Sequence, residues 1–175
     1  MDQDDAIAKA RQFADTAYGV EADRISRDFD AKLRDRQAEL TAHGLVRSSV
    51  MTSETARING ERITALLQAK LNSLLEGYSL HGIPLDEQLA ARTLTEMMQV
   101  RNTMLARATH ADVKLGGGLS YIPALEQNVG MYEDEVKTQL ERRRLMKRAT
   151  QQVPPIFTMC TGTTRVGLRT GATTP

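Results

Sequence analysis

The residues that most often carry chemistry are few in this chain. Histidine occurs at His43, His81 and His110, and the single cysteine is Cys160. Each histidine is predicted to fall at the end of a helix, and His43 and His81 directly precede glycine. A donor or cation there is stabilised by the free carbonyls and the negative end of the helix dipole. That structural role is the expected one for all three. A dinuclear carboxylate centre in a helical bundle needs Glu-x-x-His pairs facing inward. The residues three before the histidines are Leu40, Tyr78 and Arg107, so the motif is missing. No metal ligands and no cofactor-binding residues are expected.

Nucleophilic chemistry finds no better support. A reactive thiolate needs a base or a positive environment, and Cys160 is far in sequence from every histidine. No Gly-x-Ser-x-Gly or His-Glu-x-x-His pattern occurs. The stretch Gly162-Thr163-Thr164-Arg165-Val166-Gly167 imitates a phosphate-binding loop. The loop requires Lys and then Ser or Thr next, whereas Leu168-Arg169-Thr170 follows here and the sequence stops before any helix. The triple glycine Gly116 to Gly118 reads as a joint, with no lysine after it to hold phosphate. Glu133, Asp134 and Glu135 are adjacent on a helix, so they point in different directions and do not converge. A solvated face is expected for them. Met97, Met98 and Met104 fit either an adaptable binding surface or core filler, and core filler is the ordinary role.

The most specific feature is a basic run. Arg142, Arg143, Arg144, Lys147 and Arg148 place five cations within seven residues. Such a run can hold phosphates, an acidic partner or an anionic surface. It also suits a solvated helix end, because cations are favoured near a helix C-terminus.

These residues must be positioned by helices. Aromatic residues make up 4% of the chain and tryptophan is missing, so the core must come from Leu, Ile, Met and Ala. That composition suits packed helices and suits a β-sandwich poorly. With 175 residues, 41% of them hydrophobic and 26% charged, one globular domain is expected.

Strong punctuation separates four predicted helical segments. The first runs from about Asp4 to Ala42, with a bend at Gly19 and one face formed by Ile25, Phe29, Leu33 and Leu40. Asp23–Arg27, Asp28–Lys32 and Asp30–Arg34 have the favourable acid-first spacing. His43-Gly44 ends it. Ser48 or Ser49 caps the second helix, which carries Ile63, Leu67, Leu71, Leu74 and Tyr78, widened by Leu66 and Leu75. His81-Gly82-Ile83-Pro84 stops it, and Pro84 opens the third with Asp86 and Glu87 at the positive end. The third presents Leu85, Leu89, Met97, Leu105 and Ala108. Ser120 or Pro123 opens the fourth. There Ile122, Leu125, Val129, Tyr132 and Val136 form a seam of coiled-coil spacing, too short for a long coiled coil. Past Leu140 this helix is expected to leave the core.

From Gln151 the composition turns to Thr, Gly and Pro without helical period. The expected organisation is a helical domain over 1–150 and an extended or disordered tail over 151–175, where Ile156, Phe157 and Met159 could dock locally. The expected fold is all-α: an elongated antiparallel bundle or helical hairpins of about four helices.

Net charge is +1, which gives no strong field toward nucleic acid or membrane. The N-terminal MDQDDAIAKA does not read as a secretory signal, and no apolar run approaches the ~18 residues of a membrane span. A cytoplasmic location is the expectation, and one cysteine excludes an intrachain disulfide framework. The leading functional expectation is a non-enzymatic helical interaction or scaffold protein that self-associates or binds another protein. The alternative is binding of nucleic acid or an acidic partner through the basic run. An enzyme whose site forms only across an oligomer ranks third.

Overall fold

The computed structural model describes residues 3–46, 48–114, 121–130 and 133–151, and of residues 110–114 and 147–151 the backbone alone. The described residues are 90% helical and contain no strand. The helices are α1 (Gln3–Ala42), α2 (Ser49–Leu80), α3 (Glu87–Lys114), α4 (Tyr121–Asn128) and α5 (Glu133–Gln151). The all-α fold expected from composition and period is therefore the fold observed. Gln151, the expected start of the tail, is the last residue of α5; the rest of the expected tail lies outside the described residues, as do Cys160, Gly162 to Gly167 and Gly116 to Gly118.

The α1–α2 hairpin is the longest element. α1 has 40 residues, a rod of about 60 Å. It runs as one unbroken helix through Gly19. Ile25 and Leu40 are buried, while Phe29 and Leu33 are half-buried. Near its start Ala10 and Ala14 are fully buried against α2. Ion pairs run down the hairpin in antiparallel order: Arg36–Glu54 at 3.1 Å, Lys32–Glu61, Asp30–Arg62 at 2.8 Å and Lys70–Asp15. Lys32 and Asp30 thus reach across to α2, not along α1 as their i,i+4 spacing suggested. The reason is geometric: α2 presents Glu61 and Arg62 on the facing surface.

Both reversals of the chain use the same cap. Gly44 and Gly82 have φ of 73° and 66°, a region that costs glycine nothing. Leu45 N–H donates to Leu40 C=O and Gly44 N–H to Thr41 C=O, each at 2.9 Å. Ile83 and Gly82 repeat the pattern on Tyr78 and Ser79 at 2.9 and 3.2 Å. These paired bonds satisfy the carbonyls a helix end leaves free. Ser48 caps α2, its hydroxyl accepting from Met51 N–H at 3.2 Å. The α3 cap is Asp86, whose carboxylate accepts from Leu89 N–H at 2.7 Å. The helix begins at Glu87 and not at Pro84. Pro84 instead holds an extended connection that drives Ile83 and Leu85 into the core.

The expected fourth helix is two helices. The chain breaks at Val129 and Gly130, between α4 and α5. Gly130 N–H donates to Thr64 Oγ1 at 2.8 Å, and a β-carbon on Gly130 would meet Thr64 Cγ2 at 3.0 Å. One turn away, a β-carbon on Gly60 would stand 2.6 Å from Asn128 Cβ. This close docking on α2 takes the amide that a continuous helix would have used. The apolar seam keeps its function across the break: Leu125, Val129, Val136 and Leu140 are all buried, and Ile122 is half-buried. Tyr132 lies outside the described residues.

α2 is the central element. Its Leu67, Leu71, Leu74 and Tyr78 share one core with Ile83, Leu85, Leu89 and Met97 from the α3 side and Leu125 and Val129 from α4, and α5 adds Val136 and Leu140 to that core while packing against α3. Each fully buried Leu contributes about 1.5–3 kcal/mol relative to exposure. The tyrosines of the core have hydroxyl partners. Asn59 donates to Tyr121 at 2.8 Å, and the Tyr78 hydroxyl lies 3.5 Å from that of Thr93. Among the described residues, no helix is long and apolar enough to cross a membrane.

Candidate functional site

The basic run occupies the last turns of α5, beyond the core. Leu140 is 2% exposed. One turn later Arg143 is exposed, as is Arg142. Arg144 is half-buried and lies 3.9 Å from the Glu87 carboxylate at the start of α3. Lys147 and Arg148 continue the helix, and their side chains lie outside the described residues. Among the described side chains of α5 Leu140 is the last buried one, and Arg142 and Arg143 follow it into solvent. Repulsion between these two exposed cations is tolerable because water and ions screen them.

Two apolar side chains accompany the cations. Leu145 and Met146 are 64% and 67% exposed. The seam does not point to them, since they fall off the 3–4 spacing that runs through Val129, Val136 and Leu140. The signal in the sequence was their position: an apolar pair inside a charged run.

This end of α5 shares a pole of the bundle with three other helix ends. Ala10 of α1 lies against Gly77 of α2, so the first turn of α1, with Asp4 and Asp5, extends past the end of α2. Arg144 beside Glu87 brings the end of α5 to the start of α3. Leu80, the last residue of α2, is 63% exposed at the same pole. Asp4, Asp5, Asp86 and Glu87 are exposed there as well.

The chain matches no family model, no curated protein and no solved structure.

The other candidates do not converge. His43 and His81 are exposed residues at the ends of α1 and α2; His81 caps α2, its N–H donating to Gly77 C=O at 3.1 Å. His110 lies on α3 with its side chain outside the described residues. Among the described residues no three of His, Cys, Asp and Glu lie together as metal ligands would. Glu133, Asp134 and Glu135 are exposed in the first turn of α5. Met97 is fully buried and Met98 and Met104 are half-buried, so they fill the core.

Among the described residues, two of the grooves between helices bear on this question. One, of about 580 Å³, is bounded by Tyr18, Leu33, Ile63, Leu66, Met104 and Tyr121 among others, and no His, Cys, Asp or Glu lines it. Burial there pushes the Tyr18 phenol above its ordinary value. The other, of about 490 Å³, is open to solvent between α1 and α3 and contains Arg11, Arg92 and Glu96. Arg11 is committed: its guanidinium pairs with Glu96 at 3.0 Å. Its charged form is favoured first by a hydrogen bond to Tyr78 and, against the cost of burial, by Glu96. That arrangement locks α1 to α2 and α3.

Proposed function

We propose that this protein is a non-enzymatic helical interaction protein that associates with itself. The observation that carries the proposal is the end of α5. It runs for about three turns past its last core residue and exposes Leu145 and Met146 to solvent. Adjacent large apolar side chains on a projecting helix gain free energy when a partner covers them. Sedimentation of the full chain over a wide concentration range tests the reading. A mass that rises with concentration is expected, and a constant monomer mass would sink it.

A second reading rests on Arg142 and Arg143, both exposed on the same turns. They suit phosphates or an acidic partner. Binding to RNA or DNA would then fall steeply with salt, because phosphate contacts release counterions. No binding at low salt would remove this reading.

A further inference from the structure

We infer that the pole where α1 begins, α2 ends, α3 begins and α5 ends is the self-association surface. Two copies meet there about a two-fold axis, with the basic α5 end of each against the acidic helix starts of the other. The inference rests on the self-association proposed above and gives it a place and a charge pattern.

A two-fold contact uses the same patch on both subunits, so the patch must complement itself. A patch of one sign repels its own copy. This pole carries both signs: Arg142 and Arg143 on α5, and Asp4, Asp5, Asp86 and Glu87 on the starts of α1 and α3, all of them exposed. Arg144 already lies near Glu87 within one copy, which fixes how closely the opposite signs stand. Apolar surface accompanies the charges. Leu80, Leu145 and Met146 are 63%, 64% and 67% exposed. Val46 and Val50 lie instead at the far corner, between α1 and α2, and Phe13 and Val20 lie along α1. The pole thus carries exposed apolar side chains together with charges of both signs, the mixture that protein contacts use.

The carboxylates decide between occupants. A nucleic acid or an anionic lipid surface would meet the Glu87 carboxylate 3.9 Å from Arg144, and like charge brought close is unfavourable. A second copy satisfies both signs at once. Salt should weaken the contact, since exposed charges are screened.

The experiment is sedimentation velocity on the full chain in four samples: wild type, an acidic-pole variant, a basic-pole variant and their mixture. The acidic-pole variant is Arg142→Glu with Arg143→Glu. The basic-pole variant is Asp4→Lys with Glu87→Lys. Wild type is expected to dimerise, and each variant alone to dimerise at least about tenfold more weakly, as facing like charges require. The mixture should recover dimers, because a pole made more acidic then meets one made more basic. Recovery on mixing excludes misfolding as the cause of the losses. Leu145→Gln, which leaves the charge of the pole unchanged, should weaken the dimer by removing exposed apolar surface. If wild type dimerises and both variants dimerise equally well, the contact lies elsewhere: the pole is overturned and self-association stands. A wild type that stays monomeric overturns both.

Discussion

The backbone of α2 at Gly77 lies directly on α1 at Ala10. A β-carbon at Gly77 would stand 2.5 Å from the Ala10 carbonyl oxygen and 3.5 Å from Ala14 Cβ. The nearest obstacle is backbone, which cannot swing aside as a side chain can. Gly77→Ala should therefore push α1 off α2. Better helix propensity returns about 1 kcal/mol, and overpacking costs about 1–3 kcal/mol or more. A net loss of roughly 1–2 kcal/mol is expected in urea unfolding. Gly19→Ala is the control, because a β-carbon there would meet nothing within 4 Å. That variant should gain about 0.5–1 kcal/mol. Equal effects at the two glycines would refute the close approach.

Leu140 and Leu145 lie five residues apart on α5 with opposite surroundings, one 2% and the other 64% exposed. Leu140→Ala should cost about 2–5 kcal/mol, the usual range for emptying a core position. Leu145→Ala should change the stability of the monomer by less than about 0.5 kcal/mol. Chemical denaturation at low protein concentration separates the two. A large loss at Leu145 would place it inside the fold.

Replacing Arg143, Arg144, Lys147 and Arg148 with Gln retains helix propensity close to that of Arg and Lys. The stability change should stay below about 1 kcal/mol, as at surface positions generally. Thermal melts check this, and a larger loss would mean that the cations are paired within the fold.

The hairpin ion pairs make a prediction about acid. The Glu54 carboxyl is held below its ordinary value first by the hydrogen bond from Arg57, with burial opposing and Arg36 adding. Glu61 is held down first by Lys32, with Arg57 adding. A carboxyl with a lower value in the folded state is protonated first in the unfolded chain. The stability it contributes is present above the unfolded value and is lost as pH falls through the folded one. The melting temperature should therefore decline below about pH 4. Glu54→Gln with Glu61→Gln should flatten that decline. An unchanged slope would show that these pairs add nothing to acid stability.

Some of this structure was legible from residue types and some was not. His43-Gly44 and His81-Gly82 mark the reversals because a left-handed residue past a helix end all but requires glycine. The basic run was visible as composition. The break at Gly130 was hidden by a seam whose 3–4 spacing continues through it, since periodicity cannot see the hydrogen bond that Thr64 takes. Gly60 and Gly77 look like ordinary helix-weakening glycines until the partner backbone is known. Asp30 and Lys32 have acceptable partners on their own helix, so spacing alone could not reveal that they cross to α2. Leu145 and Met146 stand off the periodic positions, so the seam gave no sign of them.

The ion pairs of the α1–α2 hairpin also rank its contacts by chain separation. Arg36 and Glu54 are 18 residues apart, Lys32 and Glu61 are 29, Asp30 and Arg62 are 32, and Asp15 and Lys70 are 55. Closing a loop costs more entropy as it lengthens, so the hairpin is expected to zip from the Gly44 corner outward. Substituting Arg36 should then slow refolding, whereas substituting Asp15 should mainly quicken unfolding. The corner that merely reverses the chain in the folded state would be, in time, the place where the fold starts.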